Sequence, residues 1–353
     1  MGKVLMKGNE VIAEAAVQAG CKYLFSYPIT PQSELVAYMA KRLPEVGGLF
    51  LQAESEVAAI NMVYGAASAG IRVMTSSSSP GISLKQEGVS YMVGSELPGV
   101  IVNVMRGGPG LGSIQPAQGD YFQATKGGGH GDYQIPVLAP ATLQEIVDLM
   151  QDAFDIADKY RTPVYVLGDG MLGQMMEPVE FKDRQIKELP PKDWAASATR
   201  GDGGPKIINS LRLDPNELEE HNNHLQAKYA IIKENEVRYE NYLADDADYI
   251  IVAYGTVSRI AKNAIRKARE NGIKVGMIRP ISLWPFPVKP FEETREKVKA
   301  YLTVEMSAGQ MVEDVRLAVN GHKPVEFYGR TGGIVPNQDE IYKKILEMAG
   351  GEQ

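Results

Sequence analysis

Two glutamates, Glu54 and Glu56, lie where the apolar segment Gly48-Leu49-Phe50-Leu51 gives way to an alanine-rich one. Ser55, between them, is a good N-cap because its hydroxyl can accept from the free N–H groups of a first helical turn. Glu56 then falls in that turn, where the helix dipole favours an ionised carboxylate. A carboxylate that opens a nearly apolar helix needs a partner. Taken alone, the segment is also consistent with Glu56 serving only to cap the helix.

Thr30 supplies a hydroxyl group in a second loop that could bind a ligand. Thr30 lies between Ile29 and Pro31, after the strand-like segment 22–27 and Pro28. The two prolines deny this segment helical geometry, so Thr30 is expected in an extended turn at the carboxyl end of a strand. Such a position is where α/β sheets bind ligands. The alternative is that Thr30 caps the helix predicted to begin near residue 32.

Arg106 supplies a guanidinium group in a third loop. Arg106 follows the strongly apolar run Gly99–Met105 and precedes the glycine-rich segment 107–112. A guanidinium matches a carboxylate with two parallel hydrogen bonds, so an anion site is one interpretation. An ion pair with an acid such as Asp120 is the other. The glycines match neither a phosphate-binding P-loop nor the dinucleotide fingerprint.

Other residues with metal-binding or acid–base chemistry carry weaker signals. His130 has no second histidine or cysteine at ligand spacing, so loop packing is expected. His221 and His224 are expected in a solvated loop rather than at a metal. Gly168-Asp169-Gly170 suggests a metal–diphosphate motif, but the asparagine that would complete it is absent from the window around residues 195–199. No metal site is therefore predicted on this chain.

Composition excludes several classes of protein. The chain has 353 residues, 44% hydrophobic and 23% charged, with a formal net charge of −7 and one cysteine, Cys21. The negative charge argues against nonspecific nucleic-acid binding. One cysteine can form neither an intrachain disulfide nor the ligand set of an iron–sulfur cluster. No signal peptide or membrane-spanning run is recognised, so a cytoplasmic protein away from membranes is expected.

Strands and helices alternate along the chain, which predicts an α/β fold with a parallel sheet. The strand 99–105 is strongly and continuously apolar rather than alternating, as in a sheet buried on both faces. The small residues over 76–81 either let the backbone and hydroxyls approach something bulky or form a plain flexible turn, and a helix is predicted over 83–92. The composition then shifts to a polar connector that includes a charged helix over 225–242. We therefore predict domains at 1–185 and 247–353, joined by the connector 186–246.

Three motifs together resemble one family. Tyr27-Pro28-Ile29-Thr30-Pro31, Ser55-Glu56 and Arg106-Gly107-Gly108-Pro109 resemble the α subunit of the 2-oxoacid:ferredoxin oxidoreductases, over essentially the whole chain. The C-terminal module resembles the transketolase C-terminal domain. The glycine-rich loop, with segments 118–125 and 127–133, is most similar to the branched-chain (2-oxoisovalerate) members.

The resemblance implies a role for each motif. The first domain would be a thiamine-diphosphate-binding, pyrimidine-type domain with a parallel sheet, and the second a smaller transketolase C-terminal-like α/β domain. Glu56 would be catalytic, hydrogen-bonding the pyrimidine ring nitrogen and favouring the imino tautomer that activates the thiazolium carbon. Pro28 and Ile29 would also contact the cofactor. Thr30 and Arg106 would hold the carboxylate of the 2-oxoacid.

The resemblance also implies partners. A β subunit would bind the diphosphate half and Mg²⁺, and β and a ferredoxin-like δ subunit would carry [4Fe–4S] clusters, with a γ subunit alongside. The complex would use coenzyme A to convert a branched 2-oxoacid to acyl-CoA and CO2, with ferredoxin reduction. Two alternatives remain open: 2-oxoglutarate as substrate, for which Lys126 is the nearby second cation, or a noncatalytic scaffold. A stand-alone nucleotide-binding protein is weaker, because a phosphate loop is missing.

Overall fold

The computed structural model describes residues 2–182, 188–196 and 205–350. Strands and helices alternate through its first half: β1 (Val4–Lys7), α1 (Gly8–Gln18), β2 (Tyr23–Ser26), α2 (Ser33–Glu45), β3 (Leu49–Gln52), α3 (Glu56–Ser68), β4 (Val73–Ser77), α4 (Pro80–Gly94), β5 (Gly99–Met105), α5 (Tyr121–Thr125), β6 (Val137–Leu138), α6 (Leu143–Tyr160), β7 (Pro163–Asp169), α7 (Gly170–Gln174) and β8 (Met176–Val179).

A long helix then leads into a second alternating region. Its elements are α8 (Pro215–Asn235), β9 (Tyr239–Tyr242), β10 (Tyr249–Val252), α9 (Gly255–Glu270), β11 (Val275–Pro280), β12 (Ser282–Trp284), α10 (Lys289–Thr294), β13 (Ala300–Glu305), α11 (Met311–Val319), β14 (Val325–Gly329) and α12 (Gln338–Met348).

Two mainly parallel sheets organise these elements. The larger has seven strands in the order β12-β6-β7-β5-β4-β2-β3, and the smaller has five in the order β14-β13-β10-β11-β9. Within them, β12 and β9 run antiparallel to their neighbours. Every residue of β5 and of β7 is buried, as the continuous apolar runs predict. The predicted α/β class and the strand at 99–105 are confirmed.

The strands of the two sheets are not separated at the predicted domain boundaries. β9 lies within the predicted connector but pairs with β11 of the smaller sheet. β12 lies within the predicted second domain but pairs with β6 of the larger sheet. The boundaries 1–185, 186–246 and 247–353 stay a prediction, with part of the connector, residues 186–187 and 197–204, outside the described residues.

Three local predictions were wrong. Of the two interpretations of 76–81, the flexible turn was wrong, because β4 extends to Ser77 and α4 already begins at Pro80. The charged helix ends at Asn235 rather than at residue 242. His221 and His224 lie on α8 rather than in a loop, and their Nε2 atoms lie 2.9 Å from Gly94 O and 3.0 Å from Glu96 Oε1.

Residues 2–182, 188–196 and 205–350 contain neither a membrane-spanning helix nor a cluster of metal-ligating side chains. No helix there is long and apolar enough to cross a bilayer. No group of three or more His, Cys, Asp or Glu side chains there is arranged to hold a metal ion. Asp169, in the incomplete Gly168-Asp169-Gly170 motif, caps α7. Its Oδ1 accepts from Met171 N (2.8 Å) and Leu172 N (3.1 Å).

Polar contacts join the two sheets. The side chain of Gln118 donates to Tyr254 O at 3.1 Å and accepts from Met306 N at 3.0 Å. Tyr121 donates to Asp314 Oδ2 at 2.6 Å. These bonds are buried, and the loop after β5, which carries Arg106, is therefore anchored to the smaller sheet.

Arg279 on β11 makes a buried ionic contact across the same boundary. Its Nη2 lies 2.6 Å from Glu145 Oε1 on α6 and its Nε lies 2.7 Å from Glu240 Oε2 on β9. We expect Arg279→Met to lower the free energy of unfolding by about 2–4 kcal/mol, because it leaves carboxylates without their buried cation. Urea unfolding measures this. The matched variant Lys299→Met removes an exposed pair with Asp248 and should cost no more than about 1 kcal/mol; equal effects would contradict the prediction.

Candidate active site

The predicted functional residues lie at one edge of the larger sheet. β2 is parallel to both β3 and β4, and β4 to β5, so the loops that follow these strands meet at the same edge. Pro28, Ile29 and Thr30 follow β2, Glu56 follows β3, and Arg106 follows β5. β2 lies between β3 and β4, so the chain reverses its direction along the sheet here. Ligands of α/β proteins bind at such a switch point.

Glu56 is the first residue of α3 and is only 6% exposed. Ser55 has an extended backbone and its Oγ accepts from Ala58 N at 3.2 Å, which confirms that Ser55 is the N-cap. Capping is therefore done by Ser55. No hydrogen bond from the described residues reaches the Glu56 carboxylate, so its oxygens are available to a ligand.

Helix α4 approaches Glu56 through Gly81. A Cβ on Gly81 would lie 2.6 Å from Glu56 Oε1 and still closer to Ser77 Oγ. Only glycine leaves space for the carboxylate at this contact. The small residues of segment 76–81 are thus required by close packing around Glu56.

Three buried polar atoms near this edge have no partner among the described residues: Ser77 Oγ, Ser78 Oγ and Arg106 Nε. Buried polar groups in proteins are nearly always hydrogen-bonded. Arg106 Nε, at the end of β5, fits the carboxylate of a substrate. The two serine hydroxyls at the end of β4, beside the buried Glu56 carboxylate, fit a polar heterocyclic ligand that would complete their hydrogen bonds. This fit is what the predicted cofactor requires of the chain.

Gly81 offers a direct test of this packing. We expect Gly81→Ala to lower activity of the assembled enzyme by at least about tenfold, because a methyl group displaces the Glu56 carboxylate by a few tenths of an ångström or more. Gly65→Ala on α3 is the matched control, since a Cβ there has no neighbour within 4 Å and alanine favours the helix. The measurements are turnover and thermal unfolding of both variants. Equal turnover of Gly81→Ala and Gly65→Ala would contradict the prediction.

Arg106 joins two loops rather than forming the alternative ion pair. It is 8% exposed, and its Nη1 and Nη2 donate to Thr30 O and Leu111 O, each at 3.0 Å. Within the described chain it contacts no carboxylate, so the expected pair with Asp120 is not formed. The guanidinium keeps its charge available for an anion. Its contact with Thr30 brings two predicted site residues together.

Thr30 does not cap the next helix. Helix α2 begins at Ser33 and its N-cap position is Gln32. The loop is held instead by Gln32, whose Oε1 accepts from Ser76 Oγ at 2.7 Å and whose Nε2 donates to Tyr27 O at 3.4 Å. Thr30 itself is exposed, so its hydroxyl is open to a ligand.

Asp120 belongs to a network that fixes the backbone of Arg106. Its Oδ2 accepts from Ser79 Oγ (2.6 Å) and Asn103 Nδ2 (2.9 Å), and Arg106 N donates to Ser79 Oγ at 3.0 Å. Burial raises the pKa of Asp120, and the two hydrogen bonds oppose this. Ser79 has a φ of 32°, unusual for a residue other than glycine, and strain of this kind concentrates at functional sites.

A cavity of about 820 Å³ lies next to the Arg106 loop, between the two sheets. Ser79, Pro80 and the segment 107–110 line one side, and the segments 306–308 and 331–332 line the other. Its lining includes neither Glu56, Thr30 nor Arg106. A ligand reaching the site from this side would meet small and polar residues.

Two family descriptions cover most of the chain. Residues 14–241 match pyruvate flavodoxin/ferredoxin oxidoreductase, thiamine diphosphate-binding, and residues 247–341 match pyruvate:ferredoxin oxidoreductase core domain II. The ketoisovalerate oxidoreductase subunit VorB of Methanothermobacter marburgensis is 52% identical over 350 residues, 99% of each chain. This chain belongs to the 2-oxoacid:ferredoxin oxidoreductase family.

Further relatives of this oxidoreductase subunit are more distant. The 2-oxoglutarate synthase subunit KorA of Methanothermobacter thermautotrophicus is 35% identical, over 97% of this chain and 98% of its own. A solved 2-oxoglutarate:ferredoxin oxidoreductase from Magnetococcus marinus has a TM-score of 0.87 at 28% identity, covering 98% of this chain and 65% of that one. A split-gene transketolase, at 15% identity and a TM-score of 0.59, shares the fold alone. The predicted thiamine-diphosphate and transketolase-like fold class is confirmed.

Sequence reasoning missed one charged residue of the oxidoreductase site. Lys85 of α4 is fully buried, and its Nζ donates to the backbone oxygen of Glu56 at 3.4 Å. The available signal was a lysine one turn after Gly81 in a helix whose other buried side chains, apart from that of Gln86, are small or apolar. His130, predicted to pack in its loop, is exposed, with its ring 6.1 Å from that of Tyr91.

Proposed function

We propose that this chain is the α subunit of a complex that oxidatively decarboxylates branched-chain 2-oxoacids such as 2-oxoisovalerate. The observation that carries the proposal is the buried carboxylate of Glu56, which lies over Gly81 without a hydrogen-bond partner among the described residues. Similarity over 99% of the chain to a ketoisovalerate oxidoreductase subunit supports the substrate class. The cytoplasmic location expected from the sequence remains part of the proposal.

Each site residue has a proposed task. Thiamine diphosphate would supply the nucleophilic carbon on which 2-oxoacids are decarboxylated. Glu56 would hydrogen-bond the pyrimidine ring of this cofactor and hold the proton that its tautomers share, and the loop residues Pro28 and Ile29 would contact the same ring. The charged Arg106 guanidinium, with the exposed Thr30 hydroxyl, would bind the carboxylate of the 2-oxoacid.

Partner subunits complete the proposed enzyme. We assign the diphosphate half of the cofactor and Mg²⁺ to a β subunit, and [4Fe–4S] clusters to β and a ferredoxin-like δ subunit, with γ alongside. Cys21 of this chain is buried and hydrogen-bonded to Tyr23 O at 3.4 Å, and burial raises the pKa of its thiol to about 12. Such a thiol is inert as a metal ligand. Coenzyme A and ferredoxin would act on the assembled complex.

One contact weighs against 2-oxoglutarate as the substrate. Lys126 is the nearby second cation that a dicarboxylate would require, and its Nζ is paired with Asp314 Oδ1. Asp314 therefore neutralises the charge that would otherwise meet a second carboxylate. Favouring 2-oxoglutarate are the 35% identical KorA relative and the solved oxidoreductase with 2-oxoglutarate bound. A noncatalytic scaffold would have no need of a buried, unpartnered glutamate.

The test is a substrate comparison with the complete complex. We would co-express this chain with its partner subunits and follow viologen reduction that depends on both coenzyme A and thiamine diphosphate. The highest kcat/KM is expected with 2-oxoisovalerate, against 2-oxoglutarate and pyruvate. A preference for 2-oxoglutarate would overturn the substrate class and leave the family chemistry standing. Absence of turnover with every 2-oxoacid would contradict the proposal as a whole.

A further inference from the structure

Lys85 is a buried charge for which the proposed chemistry has no task so far. The residue is 0% exposed, and its Nζ makes one long hydrogen bond, 3.4 Å to Glu56 O. Within the described residues it forms no ion pair with a carboxylate. Placing an ammonium group inside a protein without a paired anion is costly. A lysine held in this way on a helix beside the site therefore calls for a function.

The packing of α3 against α4 places Lys85 beside the start of α3. Gly81 and Lys85 are four residues apart and so lie on one face of α4. Gly81 leaves the space that the Glu56 carboxylate fills, one turn before Lys85. The two helices are also close further along, where a Cβ on Gly88 would lie 2.6 Å from Ile60 Cγ2. The ammonium group thus faces the first turn of α3.

The two charges act on each other. Burial lowers the pKa of Lys85 to about 8, and the negative charge of Glu56 opposes this by favouring the ammonium form. Other titratable groups around α4 have separate partners or face solvent: Tyr165 of β7 accepts from Gln86, Asp120 is bonded to Ser79 and Asn103, and Glu54 is exposed. Attraction between opposite charges is strong where water is excluded.

We propose that Lys85 is a positioning residue for Glu56: its buried ammonium group lies at the first turn of α3 and presents a positive charge to the Glu56 carboxylate in nearly apolar surroundings. This rests on the proposed function, in which Glu56 contacts the cofactor. In this proposal Lys85 acts through Glu56 rather than by contact with the cofactor or the substrate. Its charge ensures that Glu56 can accept a hydrogen bond, or a proton, when the cofactor ring arrives.

The first test uses the full chain without cofactor. Lysine side chains labelled with ¹³C at Cε report their titration by NMR, and Lys85→Met identifies the Lys85 signal. In Glu56→Gln the midpoint of Lys85 should fall by about 1 pH unit, because the favourable negative charge is gone. Glu54→Gln, two residues away and exposed, should leave it unchanged. An unchanged midpoint in Glu56→Gln would overturn the proposal, whether or not Lys85→Met folds in sufficient amount for other assays.

The second test follows the assembled complex. Lys85→Met conserves the shape of the side chain and removes its charge, so the acid limb of the kcat/KM profile should move to higher pH by about 1 unit. Lys159→Met is the matched control, a half-exposed lysine on α6 paired with Glu236, and its profile should coincide with wild type. A lower rate at every pH with an unmoved acid limb would indicate a purely structural role and would overturn the proposal.

The stability of the cofactor-free chain gives a third readout, with a definite sign. The folded pKa of Lys85, about 8, lies below its usual value of 10.5, so between these values the unfolded chain binds more protons. Stability from this group therefore rises as pH increases through that window. Lys85→Met should abolish this part of the rise in stability with pH. An identical slope of stability against pH in wild type and Lys85→Met would contradict a buried ammonium group at Lys85. Retained turnover in Glu56→Gln would instead overturn the function proposed for Glu56, a result separable from these titrations.

Discussion

Replacing Glu56 with glutamine is expected to lower the turnover of the assembled enzyme by about 10²–10⁴-fold, the range typical for losing a positioned acid–base group. Glutamine has nearly the same shape, and the start of α3 is held by Ser55, whose Oγ accepts from Ala58 N. The fold should therefore be preserved. What is lost is a carboxylate that lies buried over Gly81 and that can share a proton with a ring nitrogen.

The measurement is thiamine diphosphate-dependent viologen reduction with 2-oxoisovalerate and coenzyme A, alongside thermal unfolding. Glu54→Gln is the matched control, because Glu54 is exposed and precedes the helix. It should retain most of the activity. If both variants lost activity equally, a general change of charge would explain the result. If Glu56→Gln kept full turnover, Glu56 would have no part in activating the cofactor.

Replacing Arg106 with methionine is expected to raise the KM for the 2-oxoacid by about 10²-fold or more, as for loss of one partner of a buried, hydrogen-bonded charge pair. Two of the guanidinium nitrogens already bind Thr30 O and Leu111 O. The remaining N–H groups, including the unpartnered Nε, are left for the substrate carboxylate. Affinity for thiamine diphosphate should change much less, since the cofactor is assigned to Glu56.

Separate titrations of substrate and cofactor in steady-state assays distinguish these two effects. Arg316→Met provides the control, because Arg316 is exposed on α11, and neither KM should change. An equal rise in both constants for Arg106→Met would point to collapse of the two loops that Arg106 joins. A 2-oxoacid KM like that of wild type would remove Arg106 from substrate binding.

Elements specified by local chemistry were predictable from the sequence. Ser55 caps α3 because a hydroxyl before a helix satisfies free N–H groups. The run 99–105 is a buried strand because its side chains are apolar apart from Asn103, whose amide is hydrogen-bonded within the protein. Strand–helix alternation predicted each of Thr30, Glu56 and Arg106 after a strand, and the parallel arrangement of these strands brings the three loops to one edge.

Features decided by distant partners were not predictable. The segment 239–242 resembles the end of a charged helix, yet it is a strand, because its backbone pairs with the distant β11. Arg106 could have paired with Asp120 as judged from spacing alone. In the structure Ser79 and Asn103 donate to the Asp120 carboxylate instead. These hydrogen bonds depend on β4 and β5 lying side by side, which spacing along the chain does not reveal. Lys85 was missed for the same reason: its neighbour Glu56 is 29 residues earlier in the chain.

The position of β12 limits how a gene for such a chain could be divided. This strand comes from the C-terminal third but pairs with β6 at the end of the larger sheet. A gene break near residue 246 would give one product with β6 as an open sheet edge, which invites aggregation. The other product would carry β12 without its sheet and would lose the partners of Met306 and Tyr254 on Gln118. Gene fission between the two halves should therefore be disfavoured, whereas fusion to a neighbouring gene would leave both sheets intact.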